Sequence, residues 1–151
     1  MIIKSLDHLE LISKKIADKI SQKDCILLYG EIGVGKTTFT RNLINYLQKR
    51  EGVTSTEVLS PTFNLLYEYD VNNLKIMHYD LYRIKNKKEL DNLGIFQEDL
   101  NFIKIIEWPE LIKKNALNRL ELHLSYSSKE NERKLSLVGY GKWKGIDENA
   151  L

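Results

Sequence analysis

The segment Gly30-Glu31-Ile32-Gly33-Val34-Gly35-Lys36-Thr37 constrains the fold of this chain more than any other feature. It matches the pattern G-x-x-x-x-G-K-[ST] at every fixed position, and it stands between a short apolar run and a helical pattern. Glycines let backbone N–H groups converge on phosphate oxygens, and the helix that follows directs its positive end at the same anion. The segment therefore predicts a phosphate-binding loop (P-loop) that joins a buried strand to a helix.

This motif also predicts how a nucleotide is held. Lys36 is expected to reach the β- and γ-phosphates, and the Thr37 hydroxyl is expected to bind Mg²⁺. The predicted ligand is ATP with Mg²⁺, and GTP is the less favoured nucleotide. The residues expected to contact the nucleotide through this loop are consecutive: Glu31, Ile32, Gly33, Val34, Gly35, Lys36, Thr37 and Thr38.

The rest of the chain alternates between helical and strand patterns. Its 151 residues predict a single domain spanning 1–151. Helices are predicted where apolar residues recur at helical spacing, over 6–20, from Lys36 and over 87–93. Strands are predicted over 24–29, 63–69, 74–81, 102–107, 120–126 and 134–140, with a short helix from Pro109 and a frayed end after Gly141. This order predicts a three-layer α/β fold with a mixed, mainly parallel central sheet.

Composition narrows the setting of the protein. The net charge of +2 gives no global field that would attract nucleic acid. Cys25 is the only cysteine, so an internal disulfide is impossible and a cytoplasmic location is expected. The chain has no long apolar run, so no membrane association is expected.

Two carboxylates end predicted strands and are candidates for the metal site. Asp80 closes the strand of residues 74–81, and Glu107 closes a continuous apolar run. A P-loop site needs an acidic group for Mg²⁺, and one carboxylate can bind the ion while the other acts through water or orients the attacking water. The residues alone leave open which acid has which task. His78 is expected to be a hydrogen-bonded neighbour in the core.

Three other classes of protein share the P-loop. The size of the chain fits a small-molecule kinase. The five arginines of this chain, however, form no cluster in the sequence that is typical of a lid over phosphates. A GTPase is disfavoured because Asn86-Lys87-Lys88-Glu89 lacks the expected aspartate and is better interpreted as a helix N-terminus. A nucleotide-dependent assembly module without turnover has the same sequence pattern as a slow ATPase.

Four segments together carry a resemblance to a known family. They occur in the order Gly30 to Thr38, Leu59-Ser60-Pro61-Thr62-Phe63, His78-Tyr79-Asp80-Leu81-Tyr82-Arg83 and Ile106-Glu107-Trp108-Pro109-Glu110. In this combination the chain closely resembles the bacterial family of small ATPases that support threonylcarbamoyladenosine (t⁶A) modification of tRNA. The resemblance extends over nearly the whole chain, and the last three segments are more specific than the P-loop.

The resemblance implies an ATPase that is slow alone and is activated by partners. Those partners are the threonylcarbamoyl-transferase subunit and its inactive paralogue, with an indirect association with tRNA, and hydrolysis is expected to reset the complex between turnovers. Asp80 matches the acidic Mg²⁺-site position of the family, and Glu107 matches its second functional acid. The resemblance therefore implies Lys36, Asp80 and Glu107 as catalytic residues and Thr37, Asp80 and Glu107 as metal ligands. Ser60-Pro61-Thr62 matches a switch-like loop of the family that senses the γ-phosphate, with Thr62 the expected contact, and Trp108 matches an aromatic residue beside the nucleotide.

Overall fold

The computed structural model describes residues 1–95, 101–112 and 116–147. Seven strands, three α-helices and one 3₁₀ turn occur in these ranges. In chain order they are β1 (Ile2–Ile3), α1 (Leu6–Ala17), β2 (Cys25–Tyr29), α2 (Lys36–Arg50), β3 (Leu66–Val71), β4 (Leu74–Asp80), α3 (Lys87–Asn92), β5 (Ile103–Glu107), β6 (Arg119–Tyr126), β7 (Arg133–Tyr140) and the 3₁₀ turn Gly141–Trp143.

All seven strands belong to one mixed sheet in the order β1-β7-β6-β2-β5-β4-β3. The four central strands, β6, β2, β5 and β4, pair in parallel, whereas β1 with β7, β7 with β6 and β3 with β4 pair antiparallel. The continuous apolar runs of β2 and β5 account for their central place, because a parallel strand is covered on both faces. Their carboxyl ends, with that of β4, therefore meet at one edge of the sheet.

Helices cover the sheet on both faces. The larger core joins α1 and α2 to one face and includes Ile12, Ile26, Phe39 and Leu43. On the opposite face Leu90 of α3 packs in a second core with residues of β2, β4 and β5. The three-layer α/β prediction is confirmed, and its sheet is mixed with parallel pairing at the centre.

Three predicted elements have bounds that differ clearly from the observed ones. The helix predicted over 6–20 ends at Ala17. The strand predicted from Phe63 begins at Leu66, because Leu65 adopts a left-handed φ of 64° and its N–H closes a turn on the Pro61 carbonyl. The helix predicted from Pro109 is only a turn as far as Ile112, whose N–H donates to the Pro109 carbonyl. Residues 113–115 of that prediction lie outside the described ranges.

The turn at residues 141–143 is packed through Trp143, contrary to the prediction of a frayed end from Gly141, and residues 148–151 lie outside the described ranges. Residues Gly141–Trp143 form a 3₁₀ turn that brings Trp143 into the larger core with 2% of its surface exposed. A Cβ added at Gly139 would overlap the Trp143 backbone, so the turn folds tightly back onto β7. Within the described ranges, no helix combines the length and the apolar character needed to cross a bilayer.

Candidate functional site

The P-loop has the backbone geometry that its glycines allow. Gly30, Gly33 and Gly35 have φ values of 140°, 74° and 118°, a region that side chains with a Cβ rarely adopt. A Cβ on Gly30 would also overlap the carbonyl oxygen of Leu124 in β6. The loop thus wraps between β2 and the first turn of α2, with Gly35 as the residue that caps the helix.

The Lys36 ammonium occupies the centre of this loop. Nζ donates to the carbonyl oxygens of Gly30 and Glu31 at 2.6 and 2.8 Å, and it lies 3.9 Å from the centre of the Trp108 ring. Burial lowers the pKa of Lys36, and the carboxylates of Glu107 and Asp80 oppose that change. The lysine is therefore held as a poorly hydrated cation by two backbone carbonyls.

The two candidate acids stand side by side. Asp80 and Glu107 are paired residues at the ends of the parallel strands β4 and β5, and both are almost completely buried. Glu107 bridges two elements, because Oε2 accepts a 3.0 Å hydrogen bond from the Thr37 hydroxyl and Oε1 lies 2.9 Å from His78 Nε2. The sheet therefore brings one acid into direct contact with the P-loop helix and places the other next to it.

Asp80 is held by the switch-like loop. Its Oδ2 accepts hydrogen bonds from the hydroxyls of Ser60, at 3.0 Å, and Thr62, at 2.7 Å. Its Oδ1 accepts from the backbone N–H of Tyr82 at 3.0 Å. Through these bonds the carboxylate links β4 to the loop after Leu59, and the loop hydroxyls face the same space as the P-loop.

These groups line a cleft of about 280 Å³. It is lined by ten of the predicted residues, namely Ile32, Gly33, Gly35, Lys36, Thr37, Thr38, Thr62, Asp80, Glu107 and Trp108. Two predicted residues are not among its lining. The exposed Glu31 contributes its carbonyl to Lys36, and the side chain of Val34 is buried in the core.

Ser60 and Tyr82 also line the cleft and were not among the predicted contacts. Both belong to segments that the sequence singled out, and each stands two residues from a predicted site residue. The Tyr82 ring lies 4.8 Å from that of Trp108, which has a left-handed φ of 57°. This φ is unusual for a bulky residue, and the indole lies beside Lys36.

The donor set of the cleft fits a nucleotide with Mg²⁺. The Thr37 hydroxyl and the carboxylates of Asp80 and Glu107 are hard oxygen donors, which Mg²⁺ prefers. Among the described residues no group of three or more His, Cys, Asp and Glu side chains forms a complete cage for a metal. In a P-loop site, phosphate oxygens and water supply much of the coordination of the ion.

The Asn86–Glu89 segment is a helix cap. Asn86 Oδ1 accepts from the Glu89 N–H at 3.0 Å, and Glu89 Oε2 accepts from the Lys85 N–H at 3.1 Å. These bonds occupy the groups that a guanine-reading motif would offer to a base. The structure thus supports the interpretation of this segment as a helix N-terminus.

Comparison with known proteins gives a consistent family match. The model of a family described as threonylcarbamoyl adenosine biosynthesis protein TsaE matches residues 3–135. A Rickettsia conorii protein named tRNA threonylcarbamoyladenosine biosynthesis protein TsaE is 37% identical over 150 residues, which cover 99% of this chain and 82% of the relative. A Haemophilus influenzae protein of the same name is 36% identical over 105 residues, 64% of this chain and 62% of the relative.

A solved structure has the same fold. The crystal structure of Bacillus subtilis YdiB superimposes with a TM-score of 0.69 and covers 94% of this chain and 85% of its own. The two sequences are 24% identical. The arrangement of strands and helices is thus shared with an experimentally determined protein.

Proposed function

The chain belongs to the TsaE family of threonylcarbamoyl adenosine biosynthesis proteins, and we propose that it binds and hydrolyses ATP with Mg²⁺ in support of t⁶A modification of tRNA. The observation that carries this proposal is the convergence of Lys36, Thr37, Asp80 and Glu107 on one cleft. A phosphate cradle beside two buried acids is the arrangement that phosphoryl transfer to water requires.

Each group has a distinct part in this proposal. The N–H groups of the loop and the start of α2 bind the phosphates, and Lys36 exchanges its carbonyl partners for β- and γ-phosphate oxygens. Thr37 and Glu107, which already share a hydrogen bond, hold Mg²⁺. The ion would neutralise part of the negative charge on the phosphates. To Asp80, which the sequence placed in the metal site, we assign the other task that the residues left open, the orientation of the attacking water toward the γ-phosphate.

Trp108 and the switch-like loop complete the cleft. The indole beside Lys36 excludes water from one side of the phosphates, which strengthens the electrostatic contacts there. The hydroxyls of Ser60 and Thr62 release Asp80 when the γ-phosphate enters and bind it again after the phosphate leaves. The loop thus senses which nucleotide is bound, and we assign to it the communication of that state to partners.

We further propose that the physiological role is to reset a modification complex. The partners are the threonylcarbamoyl-transferase subunit and its inactive paralogue, and association with tRNA is indirect. In this role the chain does not itself transfer the threonylcarbamoyl group. ATP hydrolysis ends one state of the complex and permits the next. The expected location of such a complex is the cytoplasm. Residues 1–151 act in it as one ATPase domain.

The deciding experiment measures ATP hydrolysis by the chain alone, with each partner, and with both partners in the presence and absence of tRNA. Slow hydrolysis alone and a marked increase with both partners are expected. Unchanged hydrolysis with both partners would contradict the role as a partner-activated switch. Transfer of label from ATP to a small acceptor would instead indicate a kinase, and tighter binding of GTP than of ATP would contradict the nucleotide assignment.

A further inference from the structure

We propose that His78 is a positioning residue that fixes the carboxylate of Glu107 for metal binding through a hydrogen bond from its Nε2–H. The inference rests on the proposed function, in which Glu107 holds Mg²⁺. Neither the motif of the P-loop nor the family match assigns a task to this histidine. The argument comes from burial, from the hydrogen-bond partners on both sides of Glu107 and from the chemistry of the imidazole ring.

The position of His78 in the sheet places it behind the metal site. It stands two residues before Asp80 on β4, and therefore on the same face of that strand. Its side chain has no exposed surface, and that of Glu107 is 2% exposed. Because Nε2 lies 2.9 Å from Glu107 Oε1 while Thr37 holds Oε2, the carboxylate is held from opposite sides by β4 and α2.

The direction of this hydrogen bond follows from what each group can do. An ionised carboxylate only accepts, so Nε2 must carry the proton. His78 Nδ1 is buried and has no hydrogen-bond partner among the described residues. The hydrogen bond that the imidazole makes within the described structure therefore runs through Nε2 and ends on the Glu107 carboxylate.

Loss of this donor would affect the metal more than the nucleotide. Without His78 the buried Oε1 would lack its partner, and the carboxylate would be free to turn away from Thr37. Residues that orient a metal ligand in this way change metal affinity or activity by about 10- to 100-fold when they are replaced. The phosphate-binding N–H groups and Lys36 lie on another element and retain their geometry.

Two substitutions separate the hydrogen bond from the volume of the side chain. His78→Leu fills a similar space without a donor, whereas His78→Gln places an amide N–H near the position of Nε2. We expect His78→Leu to raise the Mg²⁺ concentration for half-maximal hydrolysis by about 10-fold or more, and His78→Gln to recover most of that loss. His123→Leu is the matched control, because His123 stacks on Tyr29 outside the cleft.

Two further measurements do not depend on turnover. Binding of ATP without Mg²⁺ should be unchanged in His78→Leu, which also shows that the variant is folded. In the wild-type chain, ¹⁵N NMR of the ring nitrogens should show a proton on His78 Nε2. The chain has only three histidines, so the His78 signals are identified by their loss in His78→Gln.

The outcomes test the inference separately from the proposed function. An unchanged Mg²⁺ requirement in His78→Leu would overturn the inference, as would an unprotonated Nε2 or a Gln variant no better than the Leu variant. If the wild-type chain hydrolyses no ATP under any condition, the proposed function fails, and the NMR measurement still decides the direction of the hydrogen bond.

Discussion

Lys36 shows how one residue depends on its surroundings. Its ammonium is held by two backbone carbonyls and by the Trp108 ring, and burial lowers its pKa. Such a cation gains more from a phosphate than a well-hydrated surface lysine would, because it gives up less water. Burial disfavours the charged form of the Lys36 ammonium, and the neighbouring carboxylates of Glu107 and Asp80 favour it.

Replacement of this cation gives the first prediction. Lys36→Ala should lower kcat/KM for ATP by about 100-fold or more, because no other cation in the loop can contact the β- and γ-phosphates. Hydrolysis assays with a fluorescent-nucleotide binding titration measure the effect. Lys49→Ala, at an exposed position near the end of α2, is the matched control and should behave like wild type. Turnover near the wild-type value in Lys36→Ala would contradict its assignment.

Asp80 supports a second prediction. Asp80→Ala should reduce Mg²⁺-dependent turnover by about 100-fold, because the water oriented toward the γ-phosphate loses its acceptor. Nucleotide binding without metal should change much less, since the phosphate-binding loop does not include β4. Asp70→Ala, on the exposed side of β3, provides a control in which an acid of the same sheet is removed. Equal losses of turnover and of metal-free binding would show that Asp80 acts structurally.

At the scale of single residues, sequence motifs predicted most of the residues that line the cleft, and there are physical reasons why the others were missed. Motif spacing identified Lys36, Thr37, Asp80 and Glu107, because these side chains leave from strand ends and from a helix start whose positions the apolar pattern predicts. Ser60 lines the cleft only because the turn before Leu65 folds it onto Asp80. The positive φ of Leu65 depends on tertiary contacts, because leucine has no local preference for the left-handed region.

The P-loop is the element in which backbone shape matters most. Gly30 is both at φ 140° and in contact with the Leu124 carbonyl of the neighbouring strand. Gly52, after α2, also has a positive φ of 69°, but a Cβ there would meet no atom within 4 Å. The two glycines therefore differ in backbone conformation, because φ 140° lies outside the left-handed region that φ 69° occupies, and in the close approach to β6 that a Cβ would make only at Gly30.

The third prediction compares alanine at these two sites. Gly52→Ala should lower the free energy of unfolding by about 1 kcal/mol, the cost of a left-handed alanine. Gly30→Ala should lower it by about 2 kcal/mol or more and should also impair ATP binding, because the added methyl group displaces the loop from β6. Urea denaturation and nucleotide titration measure both effects. Equal destabilisation at the two sites would show that the contact with β6 is unimportant.

The elements themselves were largely predictable, and their order in the sheet was not. Apolar periodicity identified α1, α2 and the central strands, and Asn72, at φ 53°, forms the predicted turn between β3 and β4. The two-residue strand β1 was missed because it is too short to show alternation, and it is defined only by its pairing with β7. The insertion of β2 between β6 and β5 depends on contacts between residues far apart in the chain.

At the scale of the whole molecule, the larger core includes Trp143, which lies in the segment that the sequence predicted to be frayed. Residues 141–147 are mostly polar, and their pattern gives no sign that Trp143 reaches the core. The 3₁₀ turn returns the chain over β6 and β7, so the indole covers an end of the apolar layer shared by α1 and the sheet. This contact joins the end of the described chain to its beginning, because Met1 and Ile3 pack in the same core.

The last prediction tests that closure. Trp143→Ala should lower the free energy of unfolding by about 3–5 kcal/mol, as expected when a large buried aromatic side chain is removed. Leu117→Ala is the control, because Leu117 is 83% exposed and its loss should change the free energy by less than about 0.5 kcal/mol. Urea denaturation followed by circular dichroism measures both variants. ATP binding measured well below the unfolding transition should remain intact in Trp143→Ala, since Trp143 is not among the residues that line the cleft. A small effect on unfolding would show that the segment is dispensable for the fold, whereas loss of ATP binding in a folded Trp143→Ala variant would show that the packing of this end extends to the P-loop.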